Sequence, residues 1–370
     1  MRHELSAVIM AAALVACASS HPQATATARP PAPTPTATPR APITLPADPS
    51  IQVMPGFAAW VYASGLPEPT AMAFGPDGRL YVTGAGGTIS VVPAPGAAVS
   101  RLVSGLPAAL GLVWRDQDLF VSVRGSIRAY HLQDGGLTGG AWVVGNLPNG
   151  RHQNDNLVRL PNGDFLVGIG STCDVCTEAD PRSASVVRFH ADWSFAGVVV
   201  RGARNPYGLA LRPATGTVYV TVNGQDNIPG NQPADHLLQV VDGEDAGWPR
   251  CWPSFPDGGL HGSCAGVAPP LAVFAPHSSA DGIVFYDGGA LAAEYQDNAF
   301  VTEWGANAGG SVGRRVMRVV FTGSPAPEHG VAGDFATGFV HPLPITIAQN
   351  GDLLVGDFGN GTLVEIGPAN

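Results

Sequence analysis

Three segments of this chain gather side chains suited to chemistry, and each borders a short apolar run. NGRHQNDNLVRLPNGDFLVGIGSTCDVC places His152 just ahead of such a run. An imidazole titrates near neutrality, so His152 is either a general base at a cavity mouth or a surface histidine making one hydrogen bond. RGARNPYGLAL, Arg201 to Leu211, sets Arg204 and Asn205 before a proline-fixed turn. A guanidinium is a rigid fork for carboxylates, and an amide both donates and accepts. The alternative is a plain turn in which Asn205 caps the backbone. The third segment, Val222 to Pro253, is a long insertion carrying Asp226, Asp235, Asp242, Glu244 and Asp245. Carboxylates and carbonyls of this kind can hold a hard cation, although the order is not that of an EF-hand.

The elements that must position these residues come from a phrase that recurs six times. It reads AMAFGPDGRLYVTG at Ala71–Gly84, LGLVWRDQDLFVSV at Leu110–Val123, NLVRLPNGDFLVGIG at Asn156–Gly170 and GLALRPATGTVYVTV at Gly208–Val222. A looser copy spans Gly282–Gly305, and ITIAQNGDLLVGDFG ends the series at Ile345–Gly359. Each copy is an apolar strand, a tight turn and a second apolar strand. Asp77-Gly78, Asn162-Gly163 and Asn350-Gly351 suit hairpin turns, because these residue types tolerate positive φ. Copies start roughly 40 to 75 residues apart, a blade spacing with variable loops. Small antiparallel sheets cannot bury both faces alone, so the expectation is an all-β, six-bladed β-propeller of four-stranded sheets. Such a ring collects loops from every blade at one mouth of its central channel.

Composition agrees. The 370 residues are 45% hydrophobic, enough for a large core, and only 13% charged, with 48 Gly and 34 Pro. The net charge is −10 with no block of Lys or Arg, which argues against a nucleic-acid partner. Residues 1–17 read as a lipoprotein signal peptide. Leu5–Ala16 is apolar but too short to span a bilayer, and Leu14-Val15-Ala16-Cys17 is similar to a lipobox. Residues 18–45, rich in Pro, Thr and Ala, read as a disordered tether, and 46–370 as the propeller domain. The expected location is the bacterial cell envelope, with membrane contact only through a lipid anchor at Cys17. Export makes disulfides plausible for Cys173, Cys176, Cys251 and Cys264. A Cys251–Cys264 bridge would staple the loop between them. C-x-x-C at Cys173–Cys176 lacks both a thioredoxin context and a second zinc-spaced pair, so a structural loop disulfide is the preferred reading.

Taken in order, His152 before LPNGDFLVGIG, then STCDVCTEAD, RNPYG, NGQDN with ADHLLQVVDGEDAGWP, APHSSADGIVFYDG, GRRVMRV and GDLLVGDFGNGTLVEI resemble the glucose/sorbosone dehydrogenases that use pyrroloquinoline quinone (PQQ). The likeness runs from about Pro55 to Ile366. It implies a six-bladed propeller, PQQ and Ca2+ as cofactors, and an aldose or related sugar or aldehyde as the small-molecule substrate, oxidised by hydride transfer. It also implies a separate electron acceptor, since no haem-attachment C-x-x-C-H motif occurs. By position His152 matches the catalytic base, and Arg204 and Asn205 the cofactor-contacting pair. Gly224 and Gln225 match the calcium-binding carbonyls. Arg315 stands where sorbosone-type members carry Lys. Departures are Tyr207 in place of Gln, Leu343 in place of Arg, and TEWGANAGG in place of a Trp-Asn-Arg segment. His277 is shared with the family.

Two other readings fit the same ring. A calcium-dependent propeller lactonase would draw metal ligands from Asn154, Asp155, Asn156, Asn205 and Asp226. A non-catalytic lipoprotein would use the mouth to bind a partner or carbohydrate. Fold alone does not choose among them.

Overall fold

The structure is a computed structural model and describes residues 45–226, 228, 233–306, 310–323 and 329–369. The expected signal peptide and tether therefore lie outside the described residues, except for Leu45. Among the described residues, six antiparallel sheets of four blade strands each stand around a common axis. From the inside out, blade one is Pro69–Phe74, Leu80–Gly84, Thr88–Val92 and Ser100–Val103. Blade two is Ala109–Arg115, Asp118–Val123, Ser126–Gln133 and Gly136–Val144. Blade three is Asn154–Arg159, Phe165–Ile169, Ser185–Phe189 and Phe195–Arg201. Blade four is Pro206–Arg212, Thr217–Val222, Asp235–Gln239 and Ala272–Phe274. Blade five is Ala280–Phe285, Ala299–Glu303, Arg315–Thr322 and His329–Thr337. Blade six takes Pro342–Ile347, Leu353–Asp357 and Thr362–Pro368 from the C-terminal end, and its outer strand, Phe57–Ser64, from before blade one. Pairing of distant chain segments in one sheet closes the ring.

The second strand of every blade explains the repeated apolar phrase. Its side chains alternate between two neighbours, because successive Cβ atoms point to opposite faces. Leu80 and Val82 pack toward blade six while Tyr81 packs toward blade two. Phe120 faces blade three while Leu119 and Val121 face blade one. The same division holds for Phe165, Leu166 and Val167, and for Val218, Tyr219 and Val220. Six apolar clusters result, one per seam. A strand buried on both faces reads as an unbroken apolar run instead of an alternating one. The turns between first and second strands divide their labour. Gly78, Gly163 and Gly351 take the positive φ. The Asp77, Asn162 and Asn350 side chains instead accept a hydrogen bond from the amide two residues on.

Inner strands meet closely enough that side chains are excluded at some seams. The Thr221 hydroxyl donates to the Asp281 carbonyl at 2.6 Å, and Thr302 to the Leu343 carbonyl at 2.7 Å. A Cβ on Gly208 would lie 2.0 Å from the Asp281 oxygen, and one on Gly282 2.1 Å from the Leu343 oxygen. Gly208→Ala is therefore expected to destabilise the domain by about 1–3 kcal/mol through overpacking. The urea midpoint would fall with little change in slope. An unchanged midpoint would mean that this seam can open freely.

Each inner strand also carries a register shift near its start, where it faces the channel mouth. A bulge bends a strand and re-aims a side chain. The second residues of the six strands are Thr70, Leu110, Asp155, Tyr207, Asp281 and Leu343. They form a ring of side chains contributed once per blade.

Candidate active site

Loops that precede an inner strand, or follow a second strand, all emerge at one end of the ring. His152 lies ahead of blade three, Arg204 and Asn205 ahead of blade four, and His277 and Ser279 ahead of blade five. Asn223 and Gly224, Trp304 and Phe358 follow second strands. These residues line one cavity of about 520 Å³ together with five of the six ring residues, Thr70, Leu110, Tyr207, Asp281 and Leu343. His152, Arg204, Asn205 and Gly224 are thus brought together as their positions in the repeat require.

The hydrogen bonds of His152 decide its tautomer. Its Nδ1 lies 3.0 Å from Ser171 Oγ and 3.2 Å from the Ser171 carbonyl. Ser171 Oγ already donates to the Cys173 carbonyl at 2.6 Å, so it accepts from Nδ1–H. In the neutral ring the proton is then on Nδ1, and the lone pair is on Nε2. Burial, and then Arg204 and Arg151, lower the pKa of His152 to about 4. The ring is therefore neutral, and competent as a base, at ordinary pH. Gly170 gives the ring its place, since a Cβ there would lie 2.4 Å from that of His152.

Arg204 is almost wholly buried and held from two sides. Its Nη2 donates to Asp174 Oδ1 at 2.7 Å and to Asp226 Oδ2 at 3.1 Å. Asp174 sits inside the small loop closed by the Cys173–Cys176 disulfide, which forms as expected, as does Cys251–Cys264. The Asp174 carbonyl accepts from Trp248 Nε1 at 3.1 Å, and its carboxylate accepts from the Asp226 amide at 3.0 Å. Burial pushes the Asp174 carboxyl up, but the Asp226 amide and Arg204 outweigh it and hold the group below its ordinary range. Asp226 also pairs with Arg151, and its Oδ1 lies 3.4 Å from His277 Nδ1. Asn205 is buried, and its Oδ1 has no hydrogen-bond partner. Opposite, Trp304 stacks on His341 with ring centroids 3.8 Å apart, and Phe358 meets Trp304 edge-on at 5.9 Å.

Arg315 and Asn154 are placed differently from expectation, whereas Gln225 is expected to act through its backbone carbonyl, whatever the direction of its side chain. Arg315 does not line this cavity. Its Nε pairs with Glu303 at 2.6 Å and its Nη1 with Asp334 at 2.9 Å, because it opens the third strand of blade five beside two acids instead of a mouth loop. Gln225 turns away into a smaller adjoining pocket that Gly224 also lines, and its buried Oε1 is unpartnered. Asn154 is committed to structure, with its amide donating to Ser122 Oγ, the Val123 carbonyl and the Ser126 carbonyl. Leu343, singled out as a missing positive charge, does lie in the wall. The sequence reading named Asp226 and Asp235 but missed the role of Asp174 and the place of Asp281. Asp235 has its pKa raised to about 6, chiefly by burial, and Asp281 is raised further by the same cause. Asp281 is the second residue of an inner strand and so had a signal in the repeat, whereas Asp235 opens the third strand of blade four.

The glucose/sorbosone dehydrogenase family model matches residues 148–319, the stretch that holds His152, Arg204, Asn205 and Asp281. A curated relative, an uncharacterised protein of Borreliella burgdorferi, is 22% identical over 344 residues, covering 84% of this chain and 89% of the relative. Among solved structures, a calcium structure of a carbohydrate-active enzyme of Trichoderma reesei superposes with a TM-score of 0.75 at 18% identity, covering 88% of this chain and 98% of that one. The holo PQQ domain of pyranose dehydrogenase from Coprinopsis cinerea gives 0.73 at 16%, covering 86% and 97%. The PQQ-bound aldose sugar dehydrogenase of Streptomyces coelicolor gives 0.66 at 20%, covering 87% and 99%. At these identities the superpositions speak for the fold, and the family match for the resemblance of the segment that builds the mouth.

Proposed function

We propose that this chain, which resembles the glucose/sorbosone dehydrogenases through residues 148–319, is a PQQ-dependent oxidoreductase acting on an aldose or a related sugar or aldehyde. The observation that carries the reading is the convergence of His152, Arg204 and Asn205 on one cavity. The donor set suits a planar, carboxylated quinone. Arg151 and Arg204 put two guanidiniums on one wall, and Trp304 and Phe358 put aromatic surface on another. The orphaned Asn205 oxygen is a buried acceptor that a ligand would satisfy. Carboxyl groups at Asp226, Asp235 and Asp281 share the same lining, so a calcium ion would be needed to balance an anionic cofactor. The Gly224 and Gln225 carbonyls are the proposed holders of that ion.

When bound, the quinone supplies the two-electron acceptor. The remaining work falls to the protein. Arg204, fixed by Asp174, orients anionic groups. Trp304 and Phe358 exclude water. His152 Nε2 takes the proton from the sugar hydroxyl while Ser171 keeps the ring in the right tautomer. Export to the cell envelope, with a lipid on Cys17, is part of the proposal. Two disulfides and the apolar N-terminal run support it. Among the described residues no helix is long and apolar enough to cross a membrane. Electrons would pass to a separate acceptor.

The test is dye reduction by the purified chain with PQQ, Ca2+ and a panel of sugars. Turnover is expected to need all three. The pH profile is expected to follow His152. The group acts when neutral and its pKa is about 4, so kcat/KM should hold as pH falls below 6.5 and drop only as pH passes through about 4. No turnover with any sugar would remove the proposal.

A further inference from the structure

We infer that the Cys173–Cys176 disulfide fastens both the base and the arginine of this cavity in place, and that a dithiol opening the bridge releases both. The sulfurs close the short loop C-D-V-C, and Cys173 and Asp174 within it hold the site. The Cys173 carbonyl accepts from Ser171 Oγ at 2.6 Å, and Ser171 Oγ in turn meets His152 Nδ1 at 3.0 Å. The Asp174 carboxylate accepts from Arg204 Nη2 at 2.7 Å. Its carbonyl accepts from Arg204 Nε at 3.3 Å and from Trp248 Nε1 at 3.1 Å. His152 and Arg204 are therefore tied to adjacent residues of one covalently closed loop.

A disulfide that only stapled a surface loop would hold nothing that the cavity uses. Here the loop has little else to keep its shape. The strand before it ends at Ile169 and the next begins at Ser185, so among the described residues no strand pairing fixes residues 173–176. The Glu178 carboxylate accepts from the Thr172 amide at 2.6 Å and from the Thr172 hydroxyl at 2.7 Å, but neither bond reaches Cys173 or Asp174. Asp174 offers its carbonyl and its carboxylate to one guanidinium, which requires a fixed backbone. Without the bridge that backbone regains conformational freedom, and its entropy opposes every bond the loop makes. The bridge is also within reach of a reagent. Cys173 and Cys176 are both partly exposed, and Val175 between them is 49% exposed, whereas Cys251 of the other bridge is 2% exposed. Thiol–disulfide exchange requires such access. One thiolate of the dithiol attacks a bridge sulfur, the sulfur–sulfur bond breaks, and a mixed disulfide forms. The second thiol of the reductant then displaces the cysteine. Two electrons and two protons pass to the loop as two thiols, and the reductant leaves as its own disulfide.

Only the turnover part of the test rests on the dehydrogenase reading; the rest uses the full chain without quinone. Nitrogen NMR of the imidazoles, with the His152 signal assigned by its loss in His152→Ala, is expected to show the Nδ1–H tautomer in the oxidised protein. After dithiothreitol the signal should move toward the Nε2–H tautomer, because the bond made by one ring nitrogen decides which carries the proton. Hydrogen exchange at the Trp248 indole should quicken about tenfold or more as the loop opens locally. Both changes should revert on reoxidation with glutathione disulfide, and peptide mass analysis should show the Cys173–Cys176 bridge open while Cys251–Cys264 stays closed. The double variant Cys173→Ser with Cys176→Ser should match the reduced form and no longer respond to dithiothreitol. Should that variant not fold, the cycle of reduction and reoxidation on the wild type stands by itself. With quinone, calcium and a sugar, and with the reductant first removed, kcat for dye reduction should be about tenfold or more lower in the reduced protein and should recover on reoxidation. An unchanged tautomer and indole exchange with the bridge shown to be open would overturn the inference. So would a double variant that responds to dithiothreitol as the wild type does. A tautomer that follows the bridge, with no sugar oxidised in either state, would instead remove only the dehydrogenase reading.

Discussion

His152→Ala is expected to lower kcat by about 10²- to 10⁴-fold, the usual contribution of a positioned general base, with little change in the affinity for quinone. The expectation follows from the ring's surroundings. Nδ1 is tied to Ser171, which is itself tied to the Cys173 carbonyl. Only Nε2 is left for chemistry. Removing the imidazole leaves Arg204, Asn205 and Trp304 where they are, so cofactor binding should survive. Quinone binding measured by fluorescence quenching, beside kcat from dye reduction, separates the two effects. His152→Gln is a useful companion, since it keeps a polar side chain but supplies no base, and it should be as slow as Ala. A variant that keeps kcat but raises KM would falsify the assignment of His152 as base and make it a binding residue.

The fold was legible in the sequence because the second strand of each blade is buried on both sides. Runs such as LYV, LFV and VYV follow from that packing, and their recurrence counts the blades. The site was legible in part. His152 and Arg204 fall at equivalent joints of the repeat, between one blade's outer strand and the next blade's inner strand, so a closed ring must bring them to one mouth. Arg315 illustrates what a linear reading cannot resolve. It begins a third strand, and the buried Glu303 on the paired strand captures its guanidinium. Spacing says where a residue stands in a blade, whereas the direction of a long side chain depends on which charge lies across the strand. Asp174 was hidden for a related reason. Its importance comes from a contact with Arg204, thirty residues on, and a short C-x-x-C loop shows only that a disulfide is possible. The equivalence of Asp155 and Asp281 was hidden because they are separated by a whole blade in sequence and take matching places only as the second residues of two inner strands.

Arg204→Ala should have the largest effect on both binding and stability. Its side chain is 4% exposed, and that of Asp174 is 10% exposed. Breaking a buried pair by removing one partner costs about 3–5 kcal/mol where the other charge is left uncompensated, and the Asp226 amide that remains on Asp174 places the loss toward the lower end. Two checks follow from this cause. The first is the double variant Arg204→Met with Asp174→Asn, which removes both charges and should recover part of the lost stability, as a double-mutant cycle would show. The second is pH. In the wild type, Asp174 has a folded pKa below its ordinary value. The stability it contributes is present above that ordinary value and is lost as pH falls through the folded pKa. In Arg204→Ala the carboxyl keeps the Asp226 amide but loses its paired guanidinium, so its charged form is less favoured in the fold at neutral pH and the loss is relieved by protonation. The gap between variant and wild type in urea unfolding should therefore be widest near pH 7 and close as pH drops below 4. Quinone binding should be lost at every pH, and Arg204→Lys should not restore it, because an ammonium cannot reproduce the planar fork whose Nε and Nη2 meet the Asp174 carbonyl and carboxylate together. A stability gap that is the same at pH 7 and pH 4 would show that Arg204 acts through packing, and its place as the anion-binding group of the mouth would have to be given up.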